Sequence, residues 1–138
     1  EDGRHIEFGD SECRFTIQSI CKIVSLAAAL QYIGEEKVFK NVMMEPSGDA
    51  FNSILKLDTA SNRPFNPMIN AGAIEVVSLL AGRFSFEKML EFIRTLCNDN
   101  EIVLDESVYR SEKATGDRNR AIGYLLKSKG VLKGDVLL

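Results

Sequence analysis

A serine hydroxyl becomes an effective nucleophile when a neighbouring base takes its proton. Lysine can be that base where desolvation draws its pKa down from about 10.4 toward roughly 7 to 8. The stretch FTIQSICKIVSLAAAL at 15–30 sets Ser19 and Lys22 into an otherwise almost unbroken apolar run. Three residues along a helix turn through about 300°, so both side chains fall on one face, one above the other. The spacing S-x-x-K marks one group of serine acyl-transfer enzymes, but the tetrapeptide alone decides little, because Ser53/Lys56 and Ser85/Lys88 repeat it. Ser85 reads as a helix N-cap with Lys88 on a solvated face, and Ser53 lies in a short mixed segment. Ser19 opens the most apolar helix of the chain, where unpaired backbone N–H groups and the positive dipole end can stabilise an oxyanion. The competing reading makes Ser19 a simple N-cap and lets Lys22 carry its charge out to water along an apolar stem.

Other polar groups have fewer chemical constraints. Cys21 is a rival nucleophile on paper, but two residues are about 200° of helix, so it points away from Ser19 and is expected as a small core residue. Asn70 stands beside Ala71, Gly72 and Ala73, small residues that would let a ligand approach the backbone, or it is an amide packed near a helix start. Glu112 and Asn119 are seven apart, which returns to one face of a helix and would let a carboxylate and an amide converge on one ligand. By residue type alone, SEKATGDRNR reads equally as a solvated face.

The elements that must position these groups follow from pattern. RHIEF at 4–8 alternates polar and apolar, GDSE is a turn signal and RFTI resumes the alternation, so a β-hairpin is expected over about 4–17. A helical region follows over about 19–130. Its first helix runs from about Ser19 to Ile33 and stops at Gly34. Residues 45–67 contain all three prolines and read as irregular, with FNSILKL as a short helix. Asn66 as N-cap and Pro67 at the first helical position predict a helix through Ile69, Ala73, Val76, Val77 and Leu80, with Asn70 in its first turn. Ser85 caps FEKMLEFIRTLCN, whose apolar residues recur at helical spacing. Ser107 to Lys129 reads as helical, with a break at Gly116-Asp117 and a stop at Gly130. The sum is a mostly α-helical chain with an N-terminal hairpin, and a hairpin alone is a marginal sheet.

Composition narrows the partners. With 138 residues, 45% hydrophobic and 27% charged, the chain fits one folded, soluble domain. A net charge of −3 argues against nucleic acid or an anionic membrane surface as a partner, and the longest greasy segment is far short of a span of roughly 20 residues. Three cysteines without C-x-x-C spacing point to a reducing compartment and to neither a disulfide framework nor a zinc knuckle. A single histidine, His5, excludes a His-rich metal site and disfavours His-based triads. No secretory signal is visible at the start, although the chain opens on Glu1.

Four blocks, FTIQSICK (15–22), EPSGDAFNS (45–53), RPFNPMINAGAI (63–74) and SEKATGDRNRAIGYLLKSKG (111–130), together resemble the serine-dependent glutaminases. That family is similar in fold to β-lactamases and penicillin-binding proteins. The resemblance implies an α/β parent domain, with a helical subdomain packed on a mainly antiparallel sheet. It implies hydrolysis of the side-chain amide of L-glutamine to L-glutamate and ammonia, with no metal or organic cofactor. Carried over, Ser19 is the nucleophile and Lys22 the base or proton relay, while Asn70, Glu112 and Asn119 hold the amino-acid head of the substrate. Glu112 suits an α-ammonium, and the two amides suit an α-carboxylate. The family also implies a homo-oligomer, and with the reducing compartment read from the cysteines a cytoplasmic location is expected.

By the same resemblance, residues 1–138 correspond to the early and middle part of one catalytic domain, truncated at both ends. A substrate-holding tyrosine falls before Glu1, and the proton-transfer tyrosines, the second oxyanion donor and the later strands fall beyond Leu138. Tyr32, Tyr109 and Tyr124 match none of these. Without the rest, little activity is expected. Two other readings stand beside this one: a serine amidase of the same superfamily acting on another amide, and a non-catalytic helical interaction module.

Overall fold

The structure, a computed structural model, describes residues 3–53 and 57–136. Its regular elements are helical: a 3-10 turn at Gln18–Ile20, then α1 (Cys21–Tyr32), α2 (Glu35–Asn41), α3 (Asn70–Leu80), α4 (Phe86–Cys97), α5 (Glu106–Thr115) and α6 (Asp117–Ser128).

Helix α3 is the centre of the arrangement. One side carries Val76 and Leu80 against Ala28 and Ala29 of α1, with Val38, Val42 and Phe92 closing the cluster. The other side carries Ala71 against Ile122 and Leu126 of α6 and Leu132 beyond it. Alanines at the α1–α3 contact let the two helix axes approach closely, so the polar groups at their adjoining ends are brought into range of one another. Gly72 is required by a second close approach, since a Cβ there would collide with the backbone carbonyl of Asn66. The small residues beside Asn70 therefore serve chain packing rather than opening the backbone to a ligand.

Most helix boundaries follow local chemistry. α1 ends where Gly34 takes φ 95°, a conformation that favours glycine. Ser85 accepts a hydrogen bond from the Lys88 N–H at the start of α4, as its position predicts. Asp105 caps α5, accepting from the N–H groups of Ser107 and Val108. α5 and α6 part at Gly116, and Arg120 bridges the break by donating to the Lys113 carbonyl and to Asp117 Oδ1. α2 is the helix that pattern alone did not delineate: seven residues with one buried apolar side chain, Val38, carry no visible period.

Three expectations are corrected. The hairpin over 4–17 does not form, and no strand occurs among the described residues. The GDSE turn is present, closed by the Cys13 N–H on the Asp10 carbonyl, but no ladder follows it. Ile6 and Phe8 are each 97% exposed and Phe15 80%, so among the described residues nothing covers the arm, and an unsupported two-stranded ribbon is marginal in water. α3 begins at Asn70 rather than at Pro67, because Asn66 closes a tight turn, its Oδ1 accepting from the Met68 and Ile69 N–H groups. FNSILKL forms no helix at Phe51–Ser53 or Leu57, and its centre, residues 54–56, lies outside the described residues.

Candidate active site

Lys22 is the pivot. Only 9% of its surface is exposed, so its stem does not carry the ammonium to water. Its Nζ instead donates to the Met68 carbonyl (2.8 Å) and to Asn70 Oδ1 (2.7 Å), and lies 5.3 Å from the centre of the Phe51 ring. Burial lowers its pKa from the ordinary lysine value, with the neighbouring Cys21 opposing. The two carbonyl acceptors and the ring favour the ammonium, so the site holds a desolvated lysine that is still well bonded when charged.

Asn70 extends the network. As the first residue of α3 it donates its backbone N–H to the Phe51 carbonyl at 2.9 Å, which ties the 45–53 loop to the helix start. Its side-chain Oδ1 is taken by Lys22, and its Nδ2 donates to Asn119 Oδ1 at 2.9 Å. An amide nitrogen has two N–H groups, so a donor remains on Asn70, and Asn119 keeps its own amide N–H pair. Lys22, Asn70 and Asn119 thus form one continuous hydrogen-bonded chain from α1 through α3 to α6.

Glu112 joins from another direction. The sequence spacing assumed one continuous helix for Glu112 and Asn119, whereas the break at Gly116 puts them on α5 and α6. Glu112 Oε1 accepts from Gln18 Nε2 at 2.7 Å, a contact between residues 94 apart. Gln18 immediately precedes Ser19, so the acidic side chain is attached to the segment that carries the candidate nucleophile. Ser19 itself lies in the 3-10 turn, exposed, and its side chain caps neither that turn nor α1. The simple N-cap reading of Ser19 is therefore removed.

The competing sites separate. Ser85 is a cap and Lys88 is solvated. Ser53 sits in a turn closed on the Ala50 carbonyl, and Lys56 lies outside the described residues. Cys21 is exposed rather than in the core. Partial desolvation still raises its thiol pKa against the pull of Lys22, which disfavours the thiolate.

Sequence reasoning did not single out Gln18, Phe51 or Met68. Two of these act through a backbone carbonyl, which no side-chain pattern encodes, and Gln18 was visible only as a polar neighbour of Ser19. Among the described residues no cluster of three or more His, Cys, Asp or Glu forms a metal site, and no helix is long and apolar enough to cross a membrane.

The family model for glutaminase matches residues 1–137. Glutaminase 2 of Clostridium perfringens is 47% identical over 98% of this chain and 46% of its own length. A glutaminase of Clostridium botulinum is 53% identical over 93% of this chain and 43% of its own length. This chain therefore spans less than half the length of those curated relatives. Among solved structures, a Bacillus glutaminase crystallised in the presence of 4.3 M NaCl superposes with a TM-score of 0.79 at 44% identity, over 89% of this chain and 42% of that one. The Bacillus subtilis glutaminase in covalent complex with 5-oxo-L-norleucine, formed by reaction with 6-diazo-5-oxo-L-norleucine, superposes with a TM-score of 0.69 at 36% identity, over 88% of this chain and 37% of that one. These neighbours have the β-lactamase-like fold, to which the present helices correspond in part.

Proposed function

Because the chain belongs to the glutaminase family, we propose that it forms part of a single catalytic domain that hydrolyses the side-chain amide of L-glutamine. The observation that carries the reading is the hydrogen-bonded chain from Lys22 through Asn70 to Asn119, which couples the candidate base to two candidate substrate amides. In the proposed reaction Ser19 Oγ attacks the side-chain carbonyl carbon and Lys22 takes the hydroxyl proton. Collapse of the tetrahedral intermediate breaks the C–N bond, the proton passes to nitrogen, and ammonia leaves a γ-glutamyl ester on Ser19. Water then attacks the ester, giving glutamate and restoring the hydroxyl.

The residues divide the work by charge. Glu112 offers a negative partner to the α-ammonium, and the remaining N–H groups of Asn70 and Asn119 suit the α-carboxylate. Lys22 has three N–H bonds, of which Met68 and Asn70 take two, so the third is available for exchange with Ser19. Desolvation makes the neutral lysine accessible, and the two carbonyls return it to a defined position once protonated. No cofactor enters the proposal. A cytoplasmic location fits three unpaired, exposed cysteines, and a homo-oligomeric state is part of the same reading.

The test is covalent labelling of the full-length protein with 6-diazo-5-oxo-L-norleucine, read by intact mass and peptide mapping. The covalent complex of the Bacillus subtilis relative makes this reagent the appropriate probe. The expected result is a single adduct on Ser19, abolished by Ser19→Ala and competed by glutamine. An adduct on Cys21 instead would overturn the serine assignment. Labelling competed by an N-acylated amide but not by free glutamine would identify an amidase of different specificity, and no labelling would support a non-catalytic module.

A further inference from the structure

Gln18 has three properties that its neighbours lack. It takes a left-handed backbone conformation, φ 43°, immediately before Ser19. Its Nε2 donates to Thr16 Oγ1 at 2.8 Å and to Glu112 Oε1 at 2.7 Å, so both amide N–H groups are used. The second bond crosses from the N-terminal turn to α5. A left-handed conformation is uncommon for glutamine, and here it turns the side chain toward α5 at the point where the chain enters α1.

The chemistry of the pair is specific. A carboxylate accepts hydrogen bonds at two oxygens with about four lone-pair sites, so one amide donor orients it and leaves capacity for an ammonium. A lysine or arginine in the place of Gln18 would neutralise the charge it oriented. Thr16 occupies the other N–H, which presents nitrogen rather than oxygen to Glu112.

We infer that Gln18 is a positioning residue, which holds the Glu112 carboxylate against the Ser19 turn as an undiminished negative charge for the substrate's α-ammonium. The inference rests on the reading of Glu112 given above and extends it to a residue that acts through Glu112.

Gln18→Asn isolates the side chain from the backbone, because asparagine tolerates the left-handed conformation while its amide is withdrawn by about 1.5 Å, one carbon–carbon bond. In the full-length enzyme KM for glutamine is expected to rise roughly tenfold, the scale of a hydrogen bond to a charged group, with kcat within about threefold of the parent. On a Glu112→Gln background the same change is expected to leave KM where Glu112→Gln alone puts it. Thr16→Val leaves the turn residue intact and carries the test should Gln18→Asn not fold; KM is expected to rise about threefold. An unchanged KM in Gln18→Asn, an equal rise on the Glu112→Gln background, or a loss confined to kcat would overturn the inference. Glu112→Gln with a normal KM would sink the reading of Glu112 itself and this inference with it.

Discussion

Among the described residues Lys22 and Glu75 are the two buried charged side chains, and both have pKa values moved by desolvation toward their neutral forms. Their surroundings differ completely. Lys22 is bonded across the fold to Met68 and Asn70, whose own partner Asn119 lies on a third helix. Glu75 is 1% exposed and, among the described residues, its carboxylate receives a hydrogen bond only from Ser78, one turn away on its own helix α3. It borders a cavity of about 850 Å³ whose rim includes Lys37, Lys40, Arg83 and Lys133. A perturbed ionisable group is therefore no marker of a site by itself. What separates the two is convergence: the Met68–Asn70 segment directs two polar atoms at Lys22 from across the fold, with the Phe51 ring beside them, whereas Glu75 is held by a hydrogen bond within its own helix and by the charge of Lys133.

The largest effect that can break this contrast is on catalysis. Lys22→Ala in the full-length enzyme is expected to lower kcat by about 10² to 10⁴, the usual contribution of a positioned general base. Lys22→Arg should not rescue it, because a guanidinium cannot give up its proton in this role. In the parent enzyme, kcat should climb with pH along a limb whose midpoint lies below the ordinary lysine value, and that limb should vanish in Lys22→Ala. The sign follows from burial, which favours the neutral amine that accepts the serine proton. A pH profile identical in parent and variant would place the base elsewhere. Glu75→Gln, by contrast, is expected to leave kcat and KM within about twofold, since Glu75 touches no residue of the Lys22 network.

How much of this contrast could be read in advance depends on what each feature is made of. Ser85 as a cap, the break at Gly116 and the stop at Gly34 were legible, because each is a local bargain between one side chain or one φ and the adjacent N–H groups. Ser19, Lys22, Asn70, Glu112 and Asn119 were legible as residue types within blocks. Their joining was not, since it depends on Met68 presenting a carbonyl and on Gln18 turning its backbone left-handed. Asn66 illustrates the limit. An Asn-Pro pair ahead of an apolar helical pattern is a sound start signal, yet the same amide can close a turn, and the contacts that accompany the turn, Lys22 on the Met68 carbonyl and Asn66 on the Glu45 carbonyl, are long-range and invisible to local pattern. The N-terminal alternation over 4–17 failed for the opposite reason: the strand propensity is present, but Ile6, Phe8 and Phe15 stay exposed, so among the described residues no packing rewards it.

The next effect concerns stability. The Glu75 carboxyl is raised from 4.5 to about 7, mainly by burial, with Ser78 and Lys133 pulling it down. A carboxyl whose folded pKa exceeds its unfolded value stabilises the fold in its protonated form, so its contribution is complete below about pH 4.5 and fades as pH rises through about 7. The unfolding free energy of the protein is expected to fall between pH 5 and pH 8 by roughly 2 to 3 kcal/mol, and Glu75→Gln should flatten that fall. The groups around the cavity that Glu75 borders include Glu35, Glu36, Lys37, Lys40, Arg83 and Lys133. A fall of equal size in Glu75→Gln would assign the pH dependence to other groups and leave Glu75 as a silent buried acid.

The smallest effect sharpens the contrast most, because it asks whether local bonding alone tunes Glu75. The Ser78 hydroxyl has one proton, shared between the Glu75 backbone carbonyl at 2.8 Å and Glu75 Oε2 at 3.2 Å, so its hold on the carboxylate is the weaker arm. That arm lowers the Glu75 pKa, and Ser78→Ala should therefore raise it further. The loss of stability is expected to be about 0.5–1 kcal/mol at pH 8, where the carboxylate is charged, and close to zero at pH 5, where it is protonated. Urea denaturation at the two pH values reads the difference directly. Equal losses at both would mean that Ser78 supports the helix carbonyl rather than the carboxylate, and the Glu75 pKa would then be set by burial and Lys133 with no local bond at all. Either result keeps the distinction from Lys22, whose hydrogen bonds come from residues 46 and 48 positions away and cannot be removed by any change within its own helix.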